Sequence, residues 1–379
     1  MVIFYFMKIF LVNNYCPEEV IGGSEIQCWL LAKYLAKEGH QASYLSVQSL
    51  SGKKEGKAGN FKIYYLSSQN ENRLKGFINF YRLLKKEKPD ICYIRTFQYL
   101  FFLNLICRII KIPAVFNTSN IRDCNPSLEK IELSFNPLRF LRSVRVFIQR
   151  RLNFVTLKNI PLITITKYHP RLLNIKATPI YNFMEDEYEN NKTEKQKRIV
   201  WVNNLKPRKN PEAFIKLAGY FKNNDYEFLM IGRIQSHFDY YQNILREAGE
   251  HLPNFKYLGG KSVSEVNKIL ASSQILVNTC EPEGFGNNFI QAWFNKCPTI
   301  TLDFDPDDII AGNRIGFHSR NFLQMAGDLK TLITDEKLRE EMAGRAREYA
   351  LKNHGVANVK KYEEKFREII NPVRNKPAG

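Results

Sequence analysis

The sequence predicts an α/β protein made of two successive doubly wound domains. Short, continuously apolar runs alternate with longer amphipathic segments, which is typical of parallel sheets covered by helices on both faces. The alternation stops at a polar segment, residues 185–197, and then restarts. The length of 379 residues also exceeds what one ordinary core accommodates. We therefore expect one domain over residues 1–182 and a second over residues 183–355, with the boundary at the polar segment.

The first domain is predicted from a series of strands and one clear helix. Apolar residues recur at helical spacing over residues 25–37, and Gly39 predicts the end of that helix. The expected strands are apolar and rich in β-branched or aromatic residues, at 8–13, 42–47, 62–66, 91–94, 114–117 and 162–166.

The second domain repeats this pattern. Pro211 is placed to begin a helix over residues 211–221, and another helical run covers residues 289–295. The chain ends in a long helical pattern, residues 335–370, interrupted near residues 353–355. The expected strands lie at 198–202, 228–231, 255–257, 275–278 and 299–302.

The formal net charge of +18 is concentrated in the first domain. Residues 1–182 contain 27 Lys and Arg against 11 Asp and Glu, whereas residues 183–379 contain 29 against 27. This asymmetry predicts an anionic partner for the first domain. The basic segments 73–88 and 138–151 fit either an anionic membrane surface or the solvated face of ordinary helices. Nucleic acid is not expected, because the basic clusters lie within apolar-periodic helices and no nucleic-acid-binding motif is present.

Several protein classes are excluded by what the sequence lacks. The seven cysteines are widely spaced without a C-x-x-C pair, which predicts buried thiols in a reducing, cytoplasmic setting. The apolar start carries Lys8 and reads as a strand rather than a signal peptide, and residues 97–110 are too short and too polar for a membrane span. Neither a metal-ligand spacing of histidines nor a nucleophile elbow is present.

Loops after strands are where open α/β sheets bind ligands, and the first such loop carries Gly22, Gly23, Ser24 and Glu25. The two glycines let the backbone approach a ligand, and the following helix start offers unpaired N–H groups. The segment fits either a phosphate or sugar contact or an ordinary turn in which Ser24 caps the helix.

Two loops of the second domain contain the clearest candidate ligand-binding residues. After residues 198–202 come Asn204, Lys206, Arg208 and Lys209, just ahead of a predicted helix start. The three cations Lys206, Arg208 and Lys209 suit a pyrophosphate, or they form a solvated basic loop. After residues 275–278 comes a glycine turn that would direct backbone N–H groups at an anion and project Glu283 toward sugar hydroxyls. It contains Glu283, Gly284, Phe285, Gly286 and Asn287, with Gln291 in the helix that follows.

These segments resemble the motifs of GT-B glycosyltransferases of the retaining, family-4 type. The resemblance covers most of the chain and is strongest over residues 199–317. It implies two Rossmann-like domains facing a central cleft, with the acceptor held by the first and a nucleotide-activated sugar by the second. It also implies that the last helix, within about residues 356–379, returns to the first domain.

The resemblance assigns roles residue by residue. Glu283 matches the first acid of the E-x7-E motif, and Lys209 matches the diphosphate-binding lysine; these are the catalytic candidates. The sequence departs from the family at Gln291, where the second acid is expected, and at Asn204, where an arginine is expected, so that Arg208 or Lys206 would supply the charge. The donor-binding candidates are Asn204, Arg208, Gly284, Phe285, Gly286, Asn287, Gln291, Gly259 and Val263. The acceptor-side candidates are Gly22, Gly23, Ser24, Glu25, Ser119 and Arg122. Of these, Ser119 and Arg122 lie in the segment where the family often has a histidine.

The implied function is retaining transfer from a nucleoside-diphosphate sugar to a saccharide or lipid-linked acceptor in cell-surface polysaccharide or glycolipid synthesis. No metal cofactor is expected, although Asp303-Phe304-Asp305 is a D-x-D string that holds a divalent ion in other transferases. The protein would be cytoplasmic, with peripheral association at the inner face of the membrane through its basic domain. Two alternatives stay open at this point: a GT-B sugar-nucleotide epimerase and a non-catalytic sugar-nucleotide binding protein.

Overall fold

The computed structural model describes residues 6–68, 71–118, 137–168, 171 and 174–374. The chain divides into two compact units, Met1–Asn182 with Val356–Gly379, and Phe183–Gly355. The polar segment 185–197 lies inside the second unit rather than between the two. Its Lys195 ammonium donates hydrogen bonds to the carbonyl oxygens of Leu270, Ser273 and Asn295, at 3.1, 2.5 and 2.6 Å. The boundary between the units, after Asn182, therefore lies three residues before this segment, which is anchored to the second unit.

The described part of the first unit contains one sheet with the strand order β3-β4-β2-β1-β5-β6-β7-β8. All neighbouring strands are parallel except β3, which is antiparallel to β4. The predicted strands are present within one or two residues, and β3 and β8 were not predicted. The bounds are β1 Lys8–Asn13, β2 Gln41–Ser46, β3 Glu55–Ala58, β4 Phe61–Tyr65, β5 Ile91–Ile94, β6 Ala114–Thr118, β7 Leu162–Thr164 and β8 Thr178–Pro179.

Helices cover the sheet of the first unit. They are α1 Gly23–Lys37, α2 Arg73–Glu87, α3 Leu100–Ile110 and α4 Pro137–Leu157. The buried faces of α2, α3 and α4 pack on the sheet through residues such as Phe80, Leu103 and Leu157. Gly39 ends α1 in a left-handed conformation with φ 92°, as its position in the sequence predicts.

The described part of the second unit contains a parallel sheet with the order β11-β10-β9-β12-β13-β14. Its strands are β9 Arg198–Val202, β10 Glu227–Ile231, β11 Phe255–Tyr257, β12 Ile275–Asn278, β13 Thr299–Thr301 and β14 Gly316–His318. Its helices are α5 Tyr188–Asn191, α6 Pro211–Tyr220, α7 Phe238–His251, α8 Val263–Ala271, α9 Asn287–Phe294, α10 Ile309–Gly312, α11 Phe322–Thr334 and α12 Glu336–His354. Helix α9 begins two residues earlier than predicted.

The last helix, α13 (Asn358–Arg374), belongs to the first unit although it follows the second in the chain. The Tyr362 and Phe366 rings each lie 5.9 Å from the Tyr93 ring, and Glu363 lies 3.4 Å from the His40 ring nitrogen Nε2. Helix α13 therefore contributes side chains to the core of the first unit.

Each sheet has one point where the strand order reverses direction. In the first sheet this point lies between β1 and β5, and in the second it lies between β9 and β12. Loops after such strands diverge above the carboxyl edge and leave a crevice there. The loops that the sequence singled out follow β1, β9 and β12, so they are placed at these crevices.

Among the described residues, no helix combines the length and the apolar character that crossing a bilayer requires. The six described cysteines are buried and free, in agreement with the prediction of buried thiols; Cys124 lies outside the described residues.

Candidate active site

The loop after β9 is held in place by a close backbone contact. A Cβ atom on Gly232, whose φ is +157°, would lie 1.6 Å from the carbonyl oxygen of Asn203, so only glycine fits there. The Asn204 carboxamide oxygen accepts a hydrogen bond from the Arg233 backbone N–H at 3.2 Å. The structure thus gives Asn204 a role in joining this loop to the loop after β10.

The backbone of Lys209 is anchored to the end of β12. Lys209 closes a short 3₁₀ turn, and Asn210 caps α6 by accepting a hydrogen bond from the Ala213 N–H. The Thr279 hydroxyl lies 2.8 Å from the Lys209 carbonyl oxygen and 2.7 Å from that of Asn210, and it accepts a hydrogen bond from Trp201 Nε1 at 2.9 Å. The loops after β9 and β12 are therefore bound to each other below the crevice.

Lys209 and Glu283 form an ion pair in this crevice. The Lys209 ammonium lies 2.5 Å from a Glu283 carboxylate oxygen, and the two side chains are 12% and 22% exposed. Burial lowers the pKa of Lys209, but the neighbouring Glu283 carboxylate and Cys280 thiol together raise that pKa above its ordinary value. The structure therefore brings together the two residues predicted to be catalytic.

The crevice has an excess of positive charge. Burial lowers the pKa of Lys206, and the positive charges of Lys209 and Arg208 lower it further. Arg208 pairs with Glu281 at 3.4 Å and donates a hydrogen bond to the Pro282 carbonyl oxygen at 3.1 Å. Because Arg208 is engaged in this way, Lys206 is better placed than Arg208 to add charge beside Lys209.

The glycine turn ends in the N-terminus of α9. Gly286 is the residue before the helix and has no side chain to cap it, and within the first turn Asn288 Oδ1 accepts a hydrogen bond from the Phe289 N–H at 3.0 Å. A Cβ on Gly286 would lie 2.2 Å from Asn288 Oδ1. The Asn288 side-chain nitrogen Nδ2 donates a hydrogen bond to the Val202 carbonyl oxygen at 2.8 Å. Phe285 is buried against Phe289 and Trp293, so its ring belongs to the core of the unit while the turn stays at the crevice.

Gln291 belongs to a buried chain of polar groups. Its amide nitrogen donates a hydrogen bond to Asn267 Oδ1 at 2.8 Å, and Asn267 Nδ2 in turn donates to a Glu187 carboxylate oxygen at 2.8 Å. Gln291 and Asn267 are both buried. The second acid expected in the motif is thus replaced by the Gln291 amide. The carboxylate of Glu187 is connected to this amide through Asn267.

The loop predicted to bracket a nucleobase lies beside the same crevice. The Gly259 carbonyl oxygen accepts a hydrogen bond from the Gly232 N–H at 2.9 Å. Val263 begins α8, whose first turn is closed by a reciprocal capping box between Ser262 and Glu265. Gly259 and Val263 are therefore positioned by the loop after β10 and by the start of α8.

The acceptor-side candidates fall into two groups. Gly22 is the residue before α1, so the alternative in which Ser24 caps that helix is wrong: Ser24 lies inside α1 and its hydroxyl accepts a hydrogen bond from Asn13 Nδ2 at 3.2 Å. Burial raises the pKa of Glu25, and the positive charge of Arg95 opposes this increase. Ser119 and Arg122 lie outside the described residues.

The D-x-D string is engaged in capping. Asp305 accepts hydrogen bonds from the backbone N–H groups of Ile310 and Ala311 at 2.8 and 2.9 Å. Within the described ranges, no group of three His, Cys, Asp or Glu side chains is arranged to hold a metal ion.

Comparisons with known proteins identify the family and the fold. Residues 182–349 match the family model described as Glycosyl transferases group 1, and residues 21–150 match Glycosyltransferase Family 4. The chain is a GT-B glycosyltransferase of the family-4 type. A solved glycosyltransferase from Rickettsia africae superposes on this enzyme with a TM-score of 0.71 at 16% identity, covering 99% of this chain and 100% of that one.

Two further relatives complete the comparison. Anabaena HepE, solved with UDP and glucose, has a TM-score of 0.70 at 14% identity and covers 96% of this glycosyltransferase and 99% of its own chain. At such identities the likeness establishes the fold alone. Poly(ribitol-phosphate) alpha-N-acetylglucosaminyltransferase of Staphylococcus aureus (strain COL) is 27% identical over 108 residues, which are 27% of this chain. That match spans about a fifth (21%) of the length of the curated relative.

The sequence left some residues of this glycosyltransferase site unassigned. Thr279, Asn267 and Glu187 act through contacts with residues far away in the sequence, and the motif gave no signal for them. The buried Arg95, which donates hydrogen bonds to Tyr93 Oη and Asn182 Oδ1 at 3.0 Å each, was also not predicted. Its position directly after β5 was the signal that could have identified it.

Proposed function

We propose that this glycosyltransferase transfers a sugar, with retention of anomeric configuration, from a nucleoside-diphosphate sugar to a saccharide or lipid-linked acceptor. Membership of the family supports sugar transfer from a nucleotide sugar. The observation that carries the proposal is the largely buried Lys209–Glu283 ion pair at the point of strand reversal, beside Lys206 and the start of α9, which the side-chain-free Gly286 precedes.

The charges of the crevice fit the departure of a diphosphate. When the bond between the sugar and the diphosphate breaks, the electron pair and the negative charge stay on the diphosphate. Lys209, Lys206 and the N–H groups at the start of α9 would stabilise that charge where it develops. Glu283 would hold sugar hydroxyls and keep the Lys209 ammonium in place. Losing one such stabilising group typically costs about 3 kcal/mol of the barrier, or about a hundredfold in rate.

We propose that no divalent metal is needed for this step, because two lysines and a helix N-terminus supply positive charge at the crevice. Asp305 is engaged by backbone N–H groups, which argues against a metal-binding role for the D-x-D string. Activity should therefore persist in the presence of excess EDTA. A loss of activity that added Mg²⁺ or Mn²⁺ restores would contradict this proposal.

The donor and the site are tested together with purified protein. A panel of nucleotide sugars, beginning with UDP-glucose and UDP-N-acetylglucosamine, is screened for thermal stabilisation and then for release of the nucleoside diphosphate with water as acceptor. Lys209→Met and Glu283→Gln should each lower release about a hundredfold or more while the fold stays intact.

The matched controls are Lys222→Met and Glu250→Gln, which change exposed residues of the same unit and should release the diphosphate normally. Normal turnover in the Lys209→Met or Glu283→Gln protein would remove the site assignment. A product in which the altered sugar still bears its nucleotide would indicate an epimerase instead.

We further propose that the first unit works at an anionic membrane surface, in the synthesis of a cell-surface polysaccharide or glycolipid. Helix α4 exposes Leu141, Ile148 and Val155 at intervals of seven residues, so they lie along one stripe, with exposed fractions of 62%, 52% and 60%. On α3, Ile109 is 63% exposed, and Arg108 and Arg145 are exposed on the same two helices. Exposed apolar side chains beside Lys and Arg suit the interface of a bilayer with anionic lipids.

Sedimentation with vesicles tests this surface. The protein should sediment with vesicles that contain phosphatidylglycerol and should stay in the supernatant when the vesicles are neutral phosphatidylcholine. Ile148→Asp should weaken that binding, whereas Tyr220→Asp, an equally exposed change in the second unit, should not. Equal binding to both kinds of vesicle, or none to either, would contradict the membrane proposal.

A further inference from the structure

The first unit contains a cavity of about 730 Å³ with an arginine-rich wall. Arg73 at the start of α2 and Arg145 and Arg150 on α4 line it. Glu71 is the one carboxylate among the described lining residues, and it already accepts hydrogen bonds from the Lys75 ammonium at 2.5 Å and the Ser68 N–H at 3.1 Å. The cavity therefore has a positive electrostatic potential.

The cavity lies at the crevice of the first sheet. Its floor includes Gln98, which follows β5, and the side chain of Asn14, which follows β1, donates a hydrogen bond to Gln98 Oε1 at 3.4 Å. Asn14 also accepts a hydrogen bond from the Thr96 hydroxyl at 3.0 Å. Since β1 and β5 flank the point of strand reversal, the cavity opens where this fold places ligands.

Two of the arginines, on different helices, act electrostatically on Tyr99. The Arg73 guanidinium carbon lies 5.9 Å from the centre of the Tyr99 ring. Burial raises the pKa of Tyr99, and the positive charges of Arg73 and Arg145 act against that increase. Within the described residues, neither arginine forms an ion pair with a carboxylate. The Arg73 and Arg145 guanidinium groups thus line the same cavity without a carboxylate partner in that part of the chain.

The wall that carries them is fixed by amide hydrogen bonds. Asn153 donates to the Phe97 carbonyl oxygen at 2.7 Å and accepts from the Phe101 N–H at 2.9 Å. Gln149 donates to the Gln98 carbonyl oxygen. These bonds tie α4 to the loop after β5, so the helix that carries Arg145 and Arg150 is fixed beside the cavity.

We infer that this cavity binds a phosphate group carried by the acceptor, which makes the acceptor a phosphorylated sugar or polyol; the inference rests on the proposed function. A guanidinium group matches two phosphate oxygens at once, and the N-terminus of α2 adds partial positive charge to the same wall. The volume is that of a small-molecule site and exceeds what a phosphate ion alone would fill. Neutral walls, including Phe97 and Val146, are available for the carbon skeleton.

Titration calorimetry of the full chain tests the inference with ribitol 5-phosphate and glycerol 3-phosphate as probes. Ribitol serves as the neutral control and glucuronate as the carboxylate control. The phosphates should bind, ribitol should not, and glucuronate should bind more weakly. Arg73→Gln and Arg145→Gln should each weaken phosphate binding about tenfold or more. Arg82→Gln, which changes an exposed arginine of α2 outside the cavity, should have no effect.

Titration with UDP separates this inference from the proposed function. UDP affinity should be the same in wild type and in both cavity variants, since the donor crevice is in the other unit. Phosphate binding without any nucleotide binding would remove the proposed function and leave the cavity assignment standing. The inference is wrong if the phosphates do not bind, if glucuronate binds equally well, or if the cavity variants bind phosphate normally. It is also wrong if these variants lose only vesicle binding, which would make the cavity a lipid headgroup site.

Discussion

Replacing Gln291 by glutamate would restore the acid of the family motif, yet we expect it to destabilise the second unit. The Gln291 amide nitrogen is the donor in its hydrogen bond to Asn267 Oδ1 at 2.8 Å, and both side chains are buried. A carboxylate has no such donor. Turning the Asn267 amide over does not help, because its nitrogen already donates to the Glu187 carboxylate at 2.8 Å. One carboxylate is left facing a carbonyl oxygen in either orientation.

The expected cost follows from these contacts. The lost hydrogen bond removes about 1 kcal/mol, and two acceptors opposed in a buried site add about 1–3 kcal/mol. The free energy of unfolding should therefore fall by about 3 kcal/mol. For a unit of this size each kcal/mol lowers the melting temperature by about 2–4 °C, so Gln291→Glu should melt about 6–12 °C below wild type.

The loss should depend on pH. Burial raises the pKa of the introduced carboxyl in the folded state, and its protonated form can donate to Asn267. A group of this kind stabilises the fold below its unfolded pKa of about 4.3 and loses that contribution as the pH rises through the folded value. The difference in melting temperature from wild type should therefore be larger at pH 8 than at pH 5.

A second substitution supplies the decisive control. In the double variant Glu187→Gln with Gln291→Glu, Asn267 can turn over, donate to the introduced carboxylate and accept from the new amide. The double variant should recover at least half of the lost stability, and the exposed control Gln242→Glu should melt as wild type does. If Gln291→Glu melts with wild type at pH 8, or if Glu187→Gln deepens the loss, the reasoning is refuted.

Three further predictions concern stability and are measured by urea unfolding or thermal melting. Lys195→Met should cost about 2–3 kcal/mol because it removes a charged donor that joins three carbonyl oxygens, whereas the exposed Lys197→Met should cost less than about 0.5 kcal/mol. Similar losses in the two variants would contradict this role. Gly232→Ala should cost more than about 3 kcal/mol because its Cβ meets a carbonyl oxygen, whereas Gly249→Ala in α7 meets nothing and should stabilise by about 0.5–1 kcal/mol. Burial holds the pKa of His40 below its ordinary value of 6.5, so the contribution of neutral His40 to stability should be lost as the pH falls below that value. His40→Gln should therefore flatten the dependence of the free energy of unfolding on pH between about pH 7 and pH 5. Identical pH profiles of stability in wild type and His40→Gln would contradict this.

The regular elements were predictable where one physical signal dominates. The strands Arg198–Val202 and Ile275–Asn278 were predicted to the residue, because strands covered on both faces are continuous apolar runs. Strand Glu55–Ala58 was missed because it is exposed and polar, and its pairing with β4 defines it. Strand Gly316–His318 was missed because glycine is typical of loops. In the structure, Gly316 is needed within the strand, because a Cβ at this position would lie 1.8 Å from the Thr299 carbonyl oxygen.

The candidate site likewise contains residues that the sequence pattern predicts and contacts that it does not. The Lys209–Glu283 pair could be predicted because each residue follows a strand, and neighbouring parallel strands bring their carboxyl ends together. The link from Gln291 through Asn267 to Glu187 could not, because it joins residues about 100 positions apart through side-chain orientation alone. Whether Ser24 capped a helix was likewise decided by backbone geometry that the sequence pattern does not specify.

The return of α13 to the first unit has a consequence for biosynthesis. The ribosome must make all of Phe183–Gly355 before it makes Tyr362 and Phe366, which pack on the sheet of the first unit. At a translation speed of about 5–20 residues per second, that interval lasts on the order of ten to thirty seconds. During this time the nascent first unit exposes the apolar surface around Tyr93 that α13 later covers. We expect chaperones to bind this surface until α13 has been synthesised.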